Sequence, residues 1–256
     1  MAKLTKAESK AHLKAERMLE QDVLTMDEKH FVLENWHESA NEMNAIAGAF
    51  FTPAQLASDF SLEIGPGSTI DLCAGIGMLS FYRQLNSPKP MPMTCVEINR
   101  RYVEVGKKIL PEARWIHADA LSALDLDLGT FDVAISNPPF GRIARSFDSP
   151  RYHGPDFEYH ILDIAAHIAR LGAFILPQES APFRYSGQQS HVRAQNGRAV
   201  QFETILGARM EASSGIDTAF YKNDWKFKVP NIEVVIVEFP VMTISAAEVL
   251  CLEAAE

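Results

Sequence analysis

From Ser68 onward the chain alternates short, apolar, β-branched runs with longer amphipathic stretches. Residues 69–73, 93–98, 114–117, 131–136, 173–177 and 233–239 read as strands, and helix-length segments separate most of them. Alternation of this kind predicts a doubly wound, mostly parallel sheet with helices on both faces, whose ligand sits beyond the carboxyl ends of the strands. Upstream, residues 5–44 read as two helices, the second opened by Thr25-Met26-Asp27-Glu28, a capping-box pattern. Another helix is predicted just after Phe51-Thr52-Pro53, where proline suits the first turn, and Gly65-Pro66-Gly67 ends it. The sequence shows no internal repeat and no low-complexity tract.

Composition narrows the setting. With 256 residues and 47% hydrophobic content the chain can bury a full-sized core. No apolar run approaches the eighteen or so residues of a membrane span, and the charged N-terminus lacks a signal-peptide core, so we expect a cytoplasmic protein of a bacterium, or of a phage-infected host, with no membrane partner. Cys73, Cys95 and Cys251 lie far apart without metal-ligand spacing, which predicts reduced packing residues and no metal site. A net charge of −9 is unusual for a nucleic-acid binder. Residues 180–230, however, carry seven Lys/Arg against four acids, a local balance of +3.

The chemistry gathers at the predicted strand ends. After the first strand, Asp71-Leu72-Cys73-Ala74-Gly75-Ile76-Gly77 offers glycines for a tight turn and a helix start whose free N–H groups face a ligand. The second strand ends in Glu97, where a Rossmann-like fold binds a ribose diol, and the third runs into Asp119, which reads equally as an adenine-amino acceptor or a helix cap. The fourth ends in Asn137-Pro138-Pro139-Phe140. Its prolines remove two donors and fix φ, so the Asn137 amide oxygen and the Pro138 carbonyl stand ready to accept the two hydrogens of a planar amino group. Phe140 supplies a ring for stacking.

These residues resemble the class I S-adenosylmethionine-dependent amino-methyltransferases marked by (D/N/S)PP(Y/F), over roughly residues 48–240. Gly48-Ala49-Phe50-Phe51-Thr52-Pro53 is similar to the FxTP element of the γ-order adenine-N6 DNA methyltransferases, which include modification subunits of type I restriction systems. The resemblance implies a Rossmann-like seven-stranded sheet with one antiparallel strand, which residues 233–239 pair with or supply. It implies S-adenosylmethionine as cofactor, held by Phe51, Thr52, Pro53, Asp71, Cys73, Ala74, Gly75, Gly77, Glu97, Ile98, Asp119, Ala120 and Asn137. It implies Asn137, Pro138, Pro139 and Phe140 as catalytic residues acting on a flipped adenine. Phe140, Arg142, Phe220, Tyr221 and Trp225 are the expected substrate contacts, with Arg145 and Phe227 as further candidates.

The expected division is an N-terminal helical extension over 1–47 and a catalytic domain over 48–256, with 178–230 as a substrate-recognition insertion. A large target-recognition domain is missing from this pattern, so specificity is short, relaxed, or delegated to a specificity or nuclease partner protein. DNA is the expected partner. RNA bases, protein glutamine amides and a non-catalytic assembly role are the alternatives.

Overall fold

A computed structural model describes residues 4–37, 50–226 and 229–240. The readings placed on Gly48, Ala49, Phe227, Lys228 and Cys251 lie outside the described residues. In chain order the elements are α1 (Lys6–Leu19), α2 (Met26–Asn35), α3 (Ala54–Leu62), β1 (Thr69–Leu72), α4 (Met78–Leu85), β2 (Met93–Glu97), α5 (Arg100–Ile109), β3 (Arg114–His117), β4 (Phe131–Ser136), α6 (Phe157–Ile168), β5 (Ala169–Pro177), β6 (Phe183–Arg184), β7 (Val192–Arg193), α7 (Arg198–Leu206), β8 (Met210–Ala212) and β9 (Ile232–Glu238). Seven strands form one sheet in the order β3-β2-β1-β4-β5-β9-β8. All pairs from β3 to β5 are parallel, while β9 runs antiparallel to both β5 and β8. Residues 232–238 therefore supply the single antiparallel strand of a Rossmann-like methyltransferase sheet.

Burial explains why these strands lack a polar face. β1 and β2 are buried at every position, as expected of parallel strands covered on both sides. Along β4, Ala134 joins the core layer built from α6 and α7, whereas Val133 and Ile135 join the opposite layer formed by α1 to α5. β5 begins at Ala169, four residues before the predicted start. Arg170 and Leu171 are exposed there, so this stretch lacks the apolar signature of the buried part. Within residues 178–230, α7 and β8 belong to this architecture, leaving the β6–β7 hairpin and residues 213–231 as the excursions from it.

The N-terminal helices are part of the core. α1 and α2 each open with a capping box, Thr5 with Glu8 and Thr25 with Glu28, in which the threonine oxygen accepts the N3 amide and the glutamate accepts the cap amide. Trp36, fully buried, ties them to the sheet. Its indole N–H donates to Glu16 at 2.7 Å, its ring meets Tyr102 of α5 edge-on at 5.6 Å, and it tilts against Phe51 at 5.9 Å. Glu16 also pairs with Arg101, and Lys108 reaches the Gln21 carbonyl. Replacing Trp36 with alanine should destabilise the whole fold by about 3–5 kcal/mol in a single cooperative unfolding transition. A separate early transition in chemical denaturation, with the remainder unaffected, would contradict this integration.

Candidate active site

The turn after β1 is built by left-handed backbone. Cys73 (φ 62°), Gly75 (φ 58°) and Gly77 (φ 91°) all lie at positive φ, and Gly77 caps α4. A side chain on Gly75 would press on the Phe51 ring at 3.3 Å, so glycine there serves both the turn and a close approach. Asp71 is buried beneath the turn. One carboxylate oxygen accepts the Ser80 hydroxyl at 2.6 Å, and the other has no partner. Glu97, at the end of β2, holds the turn from the neighbouring strand: its oxygens accept the amides of Gly75 and Asn99, each at 2.8 Å. Burial pushes both carboxyls up to about 7, although the hydrogen bonds they accept pull the other way. Burial also pushes the Cys73 thiol up, which keeps it a packing group.

The adenine-side candidates flank this turn. Ile98 is 64% exposed directly after Glu97, and its carbonyl bonds the His117 ring at 2.9 Å. Asp119 caps the short 3₁₀ turn Ala120–Asp125 through the Leu121 amide at 3.0 Å, and Ala120 is buried under it.

At the end of β4, Asn137 shows the arrangement with the most chemical content. Its amide nitrogen donates to the Phe50 carbonyl at 2.8 Å and to the Thr52 hydroxyl oxygen at 2.9 Å. The Phe50 carbonyl can only accept, so this contact fixes which end of the amide is nitrogen. The amide oxygen is then a buried acceptor without a partner, on a residue that lines a cleft with the glycine turn. Thr52 and Pro53 were expected to touch the cofactor, and the visible role of Thr52 is to orient Asn137. Phe140 is half-buried and faces Phe50 with ring centroids 6.2 Å apart. Gly141 turns at φ 79°, its amide donating to the buried Glu158 at 2.8 Å, and the other oxygen of Glu158 accepts the Ser180 hydroxyl at 2.6 Å.

The cofactor candidates of the glycine turn, Asn137 and the Phe51–Thr52 segment converge on one cleft of about 30 Å³. Phe51, Thr52 and Met78 also wall a second cavity of about 390 Å³ that runs toward α2 and Tyr82. The aromatic residues expected near Phe140 do not gather there. Phe220 is 82% exposed, Tyr221 donates its hydroxyl to Asp59 of α3, and Trp225 is buried beside a different cavity. Phe50 is the ring that meets Phe140. Neither Phe50 nor Glu158 was assigned a site role from the sequence: the first opens the FxTP-like element, whose roles were placed on Phe51, Thr52 and Pro53, and the second carries no local signal. Arg142 is exposed, whereas Arg145 is engaged by Asp148 and the Gly154 carbonyl.

The family model described as the methyltransferase small domain matches residues 36–148. No curated protein matches the chain by sequence. Among solved structures, a candidate class I S-adenosylmethionine-dependent methyltransferase from Listeria monocytogenes is similar at TM-score 0.57 and 13% identity, over 94% of this chain and 83% of that one. A candidate RNA methyltransferase from Pyrococcus horikoshii is similar at TM-score 0.53 and 18% identity, over 85% of this chain and 100% of the other. A type I restriction-modification methyltransferase subunit from Streptococcus thermophilus is similar at TM-score 0.53 and 17% identity, over 87% of this chain but 52% of that subunit. The fold is that of the S-adenosylmethionine-dependent methyltransferases, and the cofactor that fold and family match imply is S-adenosylmethionine. The residues present fit it chemically: Asp71 and Asn137, which line the cleft, carry buried oxygens without partners, and the Glu97 carboxylate holds the Gly75 amide behind the turn, with the exposed apolar side chain of Ile98 directly after it.

The raised carboxyl groups carry a pH signature. In the unfolded chain Asp71 and Glu97 titrate near 3.8 and 4.5, in the folded chain near 7, so the folded state holds the protons more tightly. That contribution to stability is complete below the unfolded values and is lost as pH rises through about 7. Glu97→Gln should therefore flatten the fall in unfolding free energy between pH 5 and 8, measured by urea denaturation. Equal slopes in variant and parent would show that Glu97 does not titrate in this window.

Proposed function

We propose that the chain transfers a methyl group from S-adenosylmethionine to the N6 amino group of adenine in DNA. The observation that carries this reading is the buried, unpartnered oxygen of Asn137, because an exocyclic amino group is the kind of donor it lacks. When bound, the cofactor supplies an electrophilic methyl group. Glu97 would accept its ribose hydroxyls, Ile98 and Asp119 would meet its adenine, and Asp71, Cys73, Ala74, Gly75, Gly77 and Ala120 would shape the turn around it. The cleft and the 390 Å³ cavity share Phe51, Thr52 and Met78 as a common wall, along which the cofactor would lie.

A duplex hides the amino group, so the target nucleotide has to leave the base stack. Phe140, with Phe50 beside it, offers the extruded base an aromatic surface. Asn137 Oδ1 and the Pro138 carbonyl would accept the two amino hydrogens, with Pro139 keeping the backbone from relaxing away. Those contacts favour a pyramidal nitrogen whose lone pair faces the donor, so positioned acceptors do the work and no strong base is required. The Thr52 contact to Asn137 gives the Phe51-Thr52-Pro53 element a reason to accompany the tetrapeptide, and that element is what favours DNA.

RNA is the second reading, favoured by one specific observation. Five of the seven Lys/Arg in residues 180–230 are engaged within the protein: Arg193 pairs with Glu203 and Glu211, Arg198 with Asp156 and Glu179, and Arg209 with Glu211, while Arg184 donates to Gln178 and Lys226 to the Trp36 carbonyl. Little of this basic charge is left to track a duplex backbone, so the chain would read either a small structured substrate or DNA presented by a specificity or nuclease partner. We further propose a cytoplasmic location; no described helix is long and apolar enough to cross a membrane.

Incubation with methyl-labelled cofactor and either duplex DNA or structured RNA tests the reading, with N6-methyladenine identified by mass spectrometry. Label should enter DNA, and label confined to RNA would replace DNA as the substrate. Asn137→Ala should lower kcat by roughly 10²–10³-fold while cofactor affinity holds. Thr52→Val should lower kcat with little change in KM, and Thr52→Ser should restore most of it; a Ser variant as impaired as Val would deny the hydroxyl its positioning role.

A further inference from the structure

A third cavity, of about 230 Å³, lies at the carboxyl edge of the sheet and is untouched by the mechanism above. Three segments enclose it: residues 186–188, residues 218–225, and the approach to β9. Its floor is Ile232, which pairs with Pro177 at the end of β5. β9 is two strands from β4, about 10 Å along the sheet from the strand that ends in Asn137.

The walls are built to hold shape. Glu233 is almost fully buried, yet it accepts the amides of Tyr185 and Ser186, the Ser186 hydroxyl and the Gln178 side-chain amide. Thr218 donates its hydroxyl to the Ile232 carbonyl at 2.6 Å, and its amide donates to Ser186 at 3.0 Å. Asp217 accepts the amides of Gly187 and Ala219 through one oxygen, at 2.8 and 2.9 Å. A buried carboxylate that accepts from four donors makes this loop cluster rigid.

The lining combines three chemistries. Trp225 contributes an indole, exposed Gln188 and Asn231 contribute side-chain amides, and exposed Lys222 contributes a cation that, among the described residues, has no carboxylate within ion-pair distance. Ring, amides and cation correspond to the face, edge and phosphate of a nucleotide.

We propose that this cavity is a second nucleotide subsite, which takes a nucleotide flanking the target adenine on the same strand, with its base at Trp225 and its phosphate at Lys222. The proposal rests on the nucleic-acid methyltransferase reading and adds to it the place where sequence context is read. It also gives Trp225 a substrate role away from the Phe140 stack.

Binding and methylation should be measured separately on the full chain, using fluorescein-labelled duplex oligodeoxynucleotides that differ only at positions flanking one adenine. Lys222→Ala should weaken binding several-fold to all of them and reduce the slope of log affinity against log salt by about 1. Gln188→Ala should leave that slope alone and level the differences among flanking bases. Both residues are on the surface, and circular dichroism would verify that each variant folds. If the parent chain methylates DNA and both variants match it in affinity, salt slope and flanking preference, the subsite is overturned while the methyltransferase reading stands. If the parent binds with these variant effects but transfers no methyl group, the reading fails and the subsite stands. Absence of both binding and transfer overturns both.

Discussion

An amide side chain can present either a donor or an acceptor, and at the end of β4 that choice is made by a segment 85 residues upstream. The Phe50 carbonyl and the Thr52 hydroxyl oxygen occupy the nitrogen of Asn137 and leave its oxygen buried without a partner. Burying an acceptor without a partner costs about 1–3 kcal/mol, so the arrangement stores a demand for one kind of ligand group. The rest of the molecule serves to maintain it. The parallel sheet brings β1 and β4 together, the glycine turn leaves space beside them, and α3 begins where Phe50 and Thr52 must stand.

Phe51 extends this constraint into the body of the protein. It borders the cleft, the Gly75 approach and the ring of Trp36, while the Lys226 ammonium lies 5.6 Å above it and donates to the Trp36 carbonyl. Helices that precede the sheet in the chain thus act as the backing of the cleft wall. The carboxyl groups at the cofactor end follow another logic: Asp71 and Glu97 are buried where ionisation is unfavourable, and hydrogen bonds from Ser80, Gly75 and Asn99 offset part of that.

Much of this was legible in the residues. Buried parallel strands read as apolar runs, the proline pair announced the end of β4, and the glycine turn followed a strand as its chemistry requires. What escaped was either too short or too distant. β8 spans three residues and β6 and β7 two each, below the length at which periodicity says anything. The Thr5-Glu8 capping box repeats the pattern seen at Thr25 and was readable in principle. The Thr52–Asn137 contact joins two motifs that were each recognised, but no spacing rule announces a hydrogen bond across 85 residues. Phe220, Tyr221 and Trp225 were grouped because they are near one another in sequence. In space they part: Phe220, in a short 3₁₀ turn, goes into solvent, Tyr221 at its end reaches Asp59, and Trp225 beyond it lines a separate cavity.

Glu158 grips both Gly141, just past the tetrapeptide, and Ser180, just past β5. Two loops that would otherwise breathe independently are thereby fastened to one helix at one carboxylate. The backbone that follows β4 and the backbone that follows β5 are thus kept at one spacing, by a contact separate from the Phe50 and Thr52 bonds that hold Asn137 itself.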